Sequence, residues 1–132
     1  LGQQGDSRLI SIEATGSGCS VIPLTATFGH ANHLIHPQLA AVEQVVTASS
    51  GSRQQRLETW LTTQTAGDGA AAKAILSDQQ DAALPIYRLS PQDPDEENTL
   101  ATAVFTLSDD AVTWQIFTRD RQRAALQSAG RQ

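Results

Sequence analysis

The sequence predicts an α+β fold in which two adjacent helices pack on one face of a largely antiparallel sheet. Apolar and polar residues alternate at residues 9–14 and resume an apolar pattern after a Gly-Ser-Gly run, as in a hairpin. Two helical patterns follow in succession between residues 52 and 78, and residues 99–118 then return to Thr, Val and aromatic residues around a polar turn. Strands, helices and strands in this order disfavour a parallel βαβ fold.

The first hairpin is predicted close to the start of the chain. Within residues 9–14, three apolar residues alternate with Ser11 and Glu13, which is typical of a half-buried strand. The Gly-Ser-Gly run at residues 16–18 predicts a tight turn, and residues 19–24 form the returning strand.

Residues 28–51 connect this hairpin to the helices. Residues 28–34 form a further short apolar run, which we interpret as leading to a strand end. Residues 37–51 lack a clean period, and their Pro, Ser and Gly content predicts an irregular connection with one turn of helix.

Two helices follow. Ser52 is predicted to cap the first, because Gln55 completes a Ser-x-x-Gln capping box ahead of apolar residues at helical spacing. The Ala-Gly pair at residues 66–67 is expected to end this helix, and Asp68 to cap the second. The apolar stripe of the second helix is expected to consist of Ala71, Ala74 and Ile75.

The last third of the chain is predicted to add mostly strands. Residues 84–89 are strand-like although they contain a proline, and residues 90–98 are acidic and proline-containing, as in a solvated loop. Residues 99–107 and 111–118 are joined by Ser-Asp-Asp and predict a second hairpin. Residues 119–132 are polar with a weak helical pattern and are expected to fray.

Length and composition limit the classes of protein to consider. The 132 residues with 39% hydrophobic content suit one globular domain, or one large piece of a domain spanning 1–132. A net charge of −5 with dispersed Lys and Arg disfavours nucleic acid as a partner, and no apolar run is long enough to cross a membrane. The lone cysteine, Cys19, slightly favours a reducing, cytoplasmic compartment. The absence of Met leads us to expect a trimmed, processed or fragmentary chain.

All three histidines lie within residues 29–36, which makes this segment the chemical centre of the sequence. On a strand, His30, His33 and His36 would point to alternating faces, and a helix would gather only part of a metal coordination shell. We therefore expect no metal and no cofactor, although a His-dependent metal protein is kept as a third hypothesis. Hydrogen-bonded structural roles are expected for two of the three imidazoles.

Asn32 and Arg53 are the candidate site residues. The Asn32 amide is a suitable donor to an oxyanion, although spacing alone favours a structural asparagine in a turn or at a strand end. Arg53 follows the predicted cap Ser52, where the helix dipole disfavours a cation, so it either binds a thiolate or a substrate carboxylate or is solvated or paired with an acid. Cys19 lies in an apolar run without a basic neighbour and is interpreted as a buried structural thiol rather than a nucleophile.

Several short motifs occur in an order that resembles a known family. They are Gly-His-Ala-Asn-His-Leu-Ile-His-Pro at 29–37, Ser-Ser-Gly-Ser-Arg at 49–53, Ala-Ile-Leu-Ser-Asp at 74–78 and Thr-Leu-Ala-Thr-Ala at 99–103. Together they resemble the acyl-coenzyme A:6-aminopenicillanate acyltransferase family, C45-type relatives of the choloylglycine hydrolases. The resemblance covers roughly residues 8–118.

The resemblance implies an αββα sandwich of the N-terminal-nucleophile type, formed after self-cleavage exposes an N-terminal cysteine that attacks a linear amide. It also implies that Asn32 is the oxyanion-site asparagine and Arg53 the arginine near the nucleophile. The family's Cys-Gly-Thr-Thr-like start is absent and Cys19 does not match it. The chain is therefore interpreted as the C-terminal portion of a linear-amide hydrolase or acyltransferase, inactive alone.

Three expectations follow for the structure and its partners. We expect Asn32 and Arg53 to approach one pocket, because a strand end and a helix start can meet at one edge of a layer sandwich. Residues 99–107 are apolar on both alternations, so we expect a companion chain or segment carrying the nucleophile to cover the sheet. The substrate is expected to be a small acylated amide. The alternative is a non-catalytic binding or assembly module that retains part of the fold.

Overall fold

The computed structural model describes residues 1–63, 68–89 and 97–128 of the chain. The described elements, in chain order, are strands β1 and β2, a short 3-10 turn, helices α1 and α2, and strands β3, β4 and β5. Their bounds are β1 Leu9–Thr15, β2 Gly18–Leu24, the 3-10 turn Pro37–Leu39, α1 Ala48–Thr63, α2 Gly69–Ile75, β3 Thr102–Leu107, β4 Val112–Phe117 and β5 Leu126–Gln127.

The first hairpin is confirmed. Strands β1 and β2 pair antiparallel, with Ile12 opposite Val21 and Glu13 opposite Ser20. The hydroxyl of Thr15 accepts a hydrogen bond from the backbone N–H of Gly18 and donates one to its carbonyl, which closes the turn. Antiparallel strands joined by so short a turn fix their own register.

The polar face of this hairpin is the buried one, whereas the alternation of apolar residues predicts that the apolar face is buried. Glu13 and Ser20 are buried, at 3% exposure each, whereas Ile12 and Val21 are 43% and 52% exposed. The interpretation of Cys19 as a buried thiol is wrong, because Cys19 is exposed. Successive strand residues point to opposite faces, so the burial of Ser20 places its neighbour Cys19 on the open face.

Residues 28–34 do not form a strand, so the predicted strand end at Asn32 is wrong. The backbone N–H groups here are hydrogen-bonded to side chains instead of to a neighbouring strand. The predicted turn of helix within residues 37–51 is confirmed as the 3-10 turn Pro37–Leu39, whose Leu39 is buried.

Helix α1 begins five residues earlier than predicted, at Ala48 rather than after Ser52. The hydroxyl of Thr47 accepts a hydrogen bond of 3.2 Å from the backbone N–H of Ser50, which is an N-cap contact. The assignment of Ser52 as the cap is therefore wrong. Arg53 lies in the second turn, so the conflict with the helix dipole inferred for it does not arise. The predicted end of this helix at residues 66–67 lies outside the described residues.

Helix α2 confirms the second helical prediction. The carboxylate of Asp68 accepts a hydrogen bond of 2.8 Å from the backbone N–H of Ala71, and Ile75 is buried as expected. Residues 84–89, predicted as a strand, form bends instead. Tyr87 is nevertheless buried at 3% exposure, and its hydroxyl donates to the carbonyl of Thr118. The predicted loop at residues 90–98 lies mostly outside the described residues.

The second hairpin is confirmed and extended by a third strand. β3 and β4 pair antiparallel, with Phe105 opposite Trp114, and the Ser108 side chain closes the turn between them. The weak helical pattern after residue 119 is overridden, because β5 pairs with β4 through Leu126 opposite Ile116. In such marginal segments, tertiary pairing outweighs local propensity.

Only one face of this second sheet is covered by helix α2. Val104 lies about 4.0 Å from a Cβ position built on Gly69, and the Lys73 ammonium lies 4.7 Å from the centre of the buried Phe117 ring. Phe105 on the opposite face is 62% exposed. The residues on this face, called the open apolar face below, are Ala103, Phe105, Leu107, Val112, Trp114, Ile116 and Leu126. The start of the chain reaches the Leu107 end of the face, where a Cβ built on Gly2 would lie 2.9 Å from Leu107.

The α+β class and the antiparallel arrangement are thus confirmed, with one difference. The described strands form two separate sheets, one of two strands and one of three, where a single sheet was expected. All strand pairs in the described residues are antiparallel. Among those residues, no helix has both the length and the apolar character needed to cross a bilayer.

Candidate active site

The centre of the candidate site is the irregular segment formed by residues 29–36. Side chains from other parts of the chain accept hydrogen bonds from five of its backbone N–H groups. A segment without secondary structure must satisfy its backbone in some such way when it is packed against the protein. The arrangement fixes the path of the chain through Asn32.

Helix α1 provides the first set of these contacts. The Gln54 side-chain carbonyl accepts from the N–H of Ala31 at 2.8 Å, and the Ser50 hydroxyl accepts from the N–H of Asn32 at 3.2 Å. Ser50 and Gln54 are four residues apart, so they lie on the same face of the helix. Both are buried, at 4% and 5% exposure. Gly29 allows the close approach, because a Cβ there would lie 3.3 Å from Leu57 Cβ.

Strand β1 provides the second set through the carboxylate of Glu13. Its Oε1 accepts from the N–H of Ile35 at 2.8 Å, and its Oε2 accepts from the N–H of His36 at 2.9 Å. Burial alone would disfavour the charged form. The two backbone N–H groups and the nearby imidazoles of His36 and His30 nevertheless hold the pKa of Glu13 below its ordinary value of 4.5. Glu13 is therefore a buried carboxylate that stays ionised.

The three histidines all have hydrogen-bond partners, one more than the two expected. His36 is 2% exposed, and its ring nitrogens lie 2.9 Å from the hydroxyls of Ser20 and Ser11. His30 Nε2 lies 2.8 Å from the carbonyl oxygen of His33 and 3.1 Å from Glu13 Oε1.

His33 completes the set through its Nδ1, which lies 2.8 Å from the Ser50 hydroxyl. His30 and His36 both lie beside Glu13, with their Nε2 atoms 3.1 and 3.9 Å from Glu13 Oε1, whereas His33 contacts Ser50. Within residues 1–63, 68–89 and 97–128, no group of three or more His, Cys, Asp or Glu side chains is arranged to hold a metal ion.

Asn32 and Arg53 lie beside each other, as the prediction that they approach one pocket requires. The Arg53 guanidinium donates from Nη1 to Asn32 Oδ1 at 3.2 Å and from Nε to the carbonyl of Ser49 at 3.2 Å. Because a guanidinium only donates, the atom of the Asn32 amide that faces it must be the oxygen. The Nδ2 amino group is therefore directed away from Arg53 and is a potential donor to another group.

Both residues line an open, polar cleft of about 270 Å³. Asn32 itself is exposed. An oxyanion donor is effective where water is excluded, and an exposed amide by itself does not meet that condition. The other residues that line the cleft are His33, Gln44, Val45, Thr47, Ser50 and Glu97.

Cys19 does not belong to this cleft. Its neighbour Ser20 contacts His36 beneath residues 29–36, and the alternation of β2 directs Cys19 to the other side of the hairpin. The residues that support the segment, namely Glu13, Gln44, Ser50 and Gln54, were not singled out from the sequence. A charged residue between apolar strand residues was the one visible signal, at Glu13.

The fold indicates a class of protein, and a comparison with known families then identifies the family. Two helices with antiparallel sheets in a mixed α+β chain are consistent with part of an N-terminal-nucleophile sandwich. A family model described as acyl-coenzyme A:6-aminopenicillanic acid acyl-transferase matches residues 1–121, and the chain belongs to that family. Membership indicates acyltransferase or hydrolase activity in general terms. No curated protein and no solved structure gives a significant match.

Proposed function

We propose that this chain is the C-terminal part of an enzyme that hydrolyses a linear amide or transfers its acyl group. In this proposal Asn32 donates to the oxyanion, and Arg53 orients Asn32. The nucleophile is the N-terminal cysteine of a companion segment, produced by self-cleavage. The observation that carries the proposal is the 3.2 Å hydrogen bond from Arg53 to Asn32 Oδ1, in a cleft lined by both residues.

In the proposed reaction, the thiol, the α-amine and the Asn32 amide each have one role. The thiol attacks the acyl carbonyl carbon while the cysteine's own α-amine takes the thiol proton. The carbonyl oxygen becomes negatively charged, and the Asn32 amino group stabilises that charge by donating a hydrogen bond. The carbon–nitrogen bond then breaks, and the leaving amine takes that proton from the α-ammonium group. Water or a second amine next attacks the thioester carbonyl carbon and gives a proton to the α-amine. The carbon–sulfur bond breaks, and the α-ammonium returns the proton to the sulfur, which regenerates the cysteine.

The companion segment is also proposed to exclude water from the cleft, where Asn32 is exposed. Separately, it would cover the open apolar face, where Phe105 is 62% and Leu126 61% exposed, which is unusual for a chain that acts alone. A partner that covers this face would bury the aromatic side chains Phe105 and Trp114. We propose that the companion chain from the same precursor is that partner.

The central test replaces Asn32 by Ala in the assembled enzyme, meaning this chain together with its companion segment. Loss of one preorganised oxyanion donor is expected to lower kcat by about a hundredfold to a thousandfold with little change in KM. The measurement is steady-state hydrolysis of a panel of linear N-acyl amides.

Gln55→Ala is the matched control, because Gln55 is an exposed amide on α1 outside the cleft. It should leave both constants unchanged. If Asn32→Ala behaves like this control, the oxyanion assignment is wrong. If the wild-type assembly turns over none of the amides, the non-catalytic binding or assembly module becomes the better interpretation.

A further inference from the structure

Glu13 lies on strand β1, away from the segment that carries Asn32, yet it holds that segment on both sides of Asn32. We propose that Glu13 is a positioning residue that places the Asn32 amide for catalysis. This inference rests on the role proposed for Asn32 at the oxyanion. Glu13 does not line the cleft, so it acts on the reaction through the backbone of residues 30–36.

The geometry of the contacts supports this role. Glu13 Oε1 lies 3.1 Å from the ring of His30, which precedes Asn32 by two residues. The same carboxylate accepts backbone N–H groups from Ile35 and His36, which follow Asn32. One carboxylate therefore closes residues 30–36 into a loop with Asn32 near its middle.

A carboxylate is specifically suited to this task. Ile35 and His36 donate to different oxygens of Glu13, so both oxygens must be acceptors. A glutamine has the same shape but offers one acceptor oxygen, and its NH₂ group would face a backbone N–H. Because Glu13 is only 3% exposed, water has little access to this position and does not readily replace the missing acceptor. Glu13→Gln therefore removes one anchor of the loop, together with the negative charge beside His30 and His36, while it keeps the size of the side chain.

Asn32 itself is held by two contacts that do not involve Glu13. The Ser50 hydroxyl accepts a hydrogen bond from the backbone N–H of Asn32, and Arg53 donates one to the Asn32 side chain. With these contacts intact, Asn32 should stay near the cleft in the Glu13→Gln variant but lose its fixed orientation. The expected result is a partial loss of transition-state stabilisation, with the substrate contacts unaffected.

A double-mutant cycle in the assembled enzyme tests the coupling. Glu13→Gln alone is expected to lower kcat about tenfold, the rate equivalent of one poorly placed hydrogen bond, with KM changed less than about twofold. In an Asn32→Ala background, Glu13→Gln is expected to have less than about a twofold further effect, because residues that act as one unit are not additive.

Asp78→Asn is the matched control, since it also removes a carboxylate charge, from a 2.6 Å ion pair with Arg56 outside the loop. It should change kcat by less than about twofold in both backgrounds. Equal effects of Glu13→Gln in the two backgrounds would overturn the inference and leave Glu13 a purely structural residue.

Amide hydrogen exchange separates this inference from the proposed function. Amide exchange in residues 30–36 is expected to be faster in Glu13→Gln than in the wild-type chain, and unchanged in Asp78→Asn. This measurement does not depend on turnover. Unchanged exchange there overturns the inference even if Asn32 proves catalytic. If Asn32→Ala leaves kcat unaltered, the proposed function fails and the catalytic purpose of Glu13 fails with it, whatever the exchange shows.

Discussion

Both sheets leave an apolar face uncovered, but they differ in what their covered faces hold. In the β1–β2 hairpin, the covered face holds the polar side chains of Ser11, Glu13 and Ser20, and the uncovered face holds apolar ones such as Val21. The β3–β5 sheet covers one face with α2 and leaves Phe105 and its apolar neighbours exposed. The hairpin therefore uses its interior to hold the site segment, whereas the second sheet offers a surface for another structure.

This comparison explains why the chain buries so few apolar side chains. Among the described residues, the buried hydrophobic ones are Leu39, Ile75, Tyr87 and Phe117. A chain that kept all its apolar residues for its own core would show the opposite distribution. The stability of the hairpin region therefore depends on satisfied polar groups, and that of the second sheet on what covers it.

The largest expected effect comes from removing the polar interior of the hairpin. Glu13→Ala leaves the N–H groups of Ile35 and His36 without their acceptor, and each such unsatisfied group costs about 1–3 kcal/mol. The free energy of unfolding from urea titration measures the loss. Glu43→Ala removes an exposed carboxylate and should change stability by less than about 0.5 kcal/mol. Similar losses in the two variants would contradict the distinction drawn here.

A smaller effect on stability, but a large one on assembly, is expected at the open apolar face. Phe105→Lys places a charge on a side chain that is 62% exposed, so the chain alone should lose less than about 1 kcal/mol. Association with the companion segment, measured by sedimentation velocity, should weaken at least about tenfold because the charge would be buried in the contact.

Thr106→Lys is the control for this charge, since its side chain points to the opposite face of β3. Association that is equally weak in both variants would show that the added charge, rather than its position on the open apolar face, is responsible. Association that is unaffected by Phe105→Lys would place the companion elsewhere.

The smallest effect is expected at Cys19. Its thiol is exposed on the uncovered face of the hairpin, so Cys19→Ser buries no hydroxyl and should change kcat by less than about twofold. Activity of the assembled enzyme and labelling by a thiol-directed substrate analogue check this expectation. Loss of activity together with labelling of Cys19 would make it the nucleophile and reverse the assignment of the nucleophile to a companion segment.

The elements predicted correctly from the sequence are those with local causes. Both hairpins have alternating residues joined by turn-forming ones, and Asp68 caps α2 with its own side chain. The start of α1 was missed because a Ser-Ser-Gly-Ser run has poor helix propensity, and contacts to residues 29–36 override it. β5 was missed because its two residues are strand only by pairing with β4.

In the candidate site, too, some residues were predicted from the sequence and others were not. Asn32 and Arg53 were found through the resemblance of their motifs, and their proximity follows in the structure. Glu13 and Gln54 were not found, because their partners lie more than 20 residues away along the chain. Nothing in the local sequence distinguishes a strand carboxylate that faces water from one that accepts hydrogen bonds from two backbone N–H groups of a distant segment.

The positions of the two tryptophans have a practical consequence. Trp114 lies on the open apolar face opposite Phe105, whereas Trp60 lines an apolar groove between α1 and α2 with Leu61. The indole fluorescence of the chain therefore reports from two distinct surroundings. Closure of the open face would shift the emission of Trp114 to shorter wavelengths and leave that of Trp60 in place, so docking becomes visible without any attached dye.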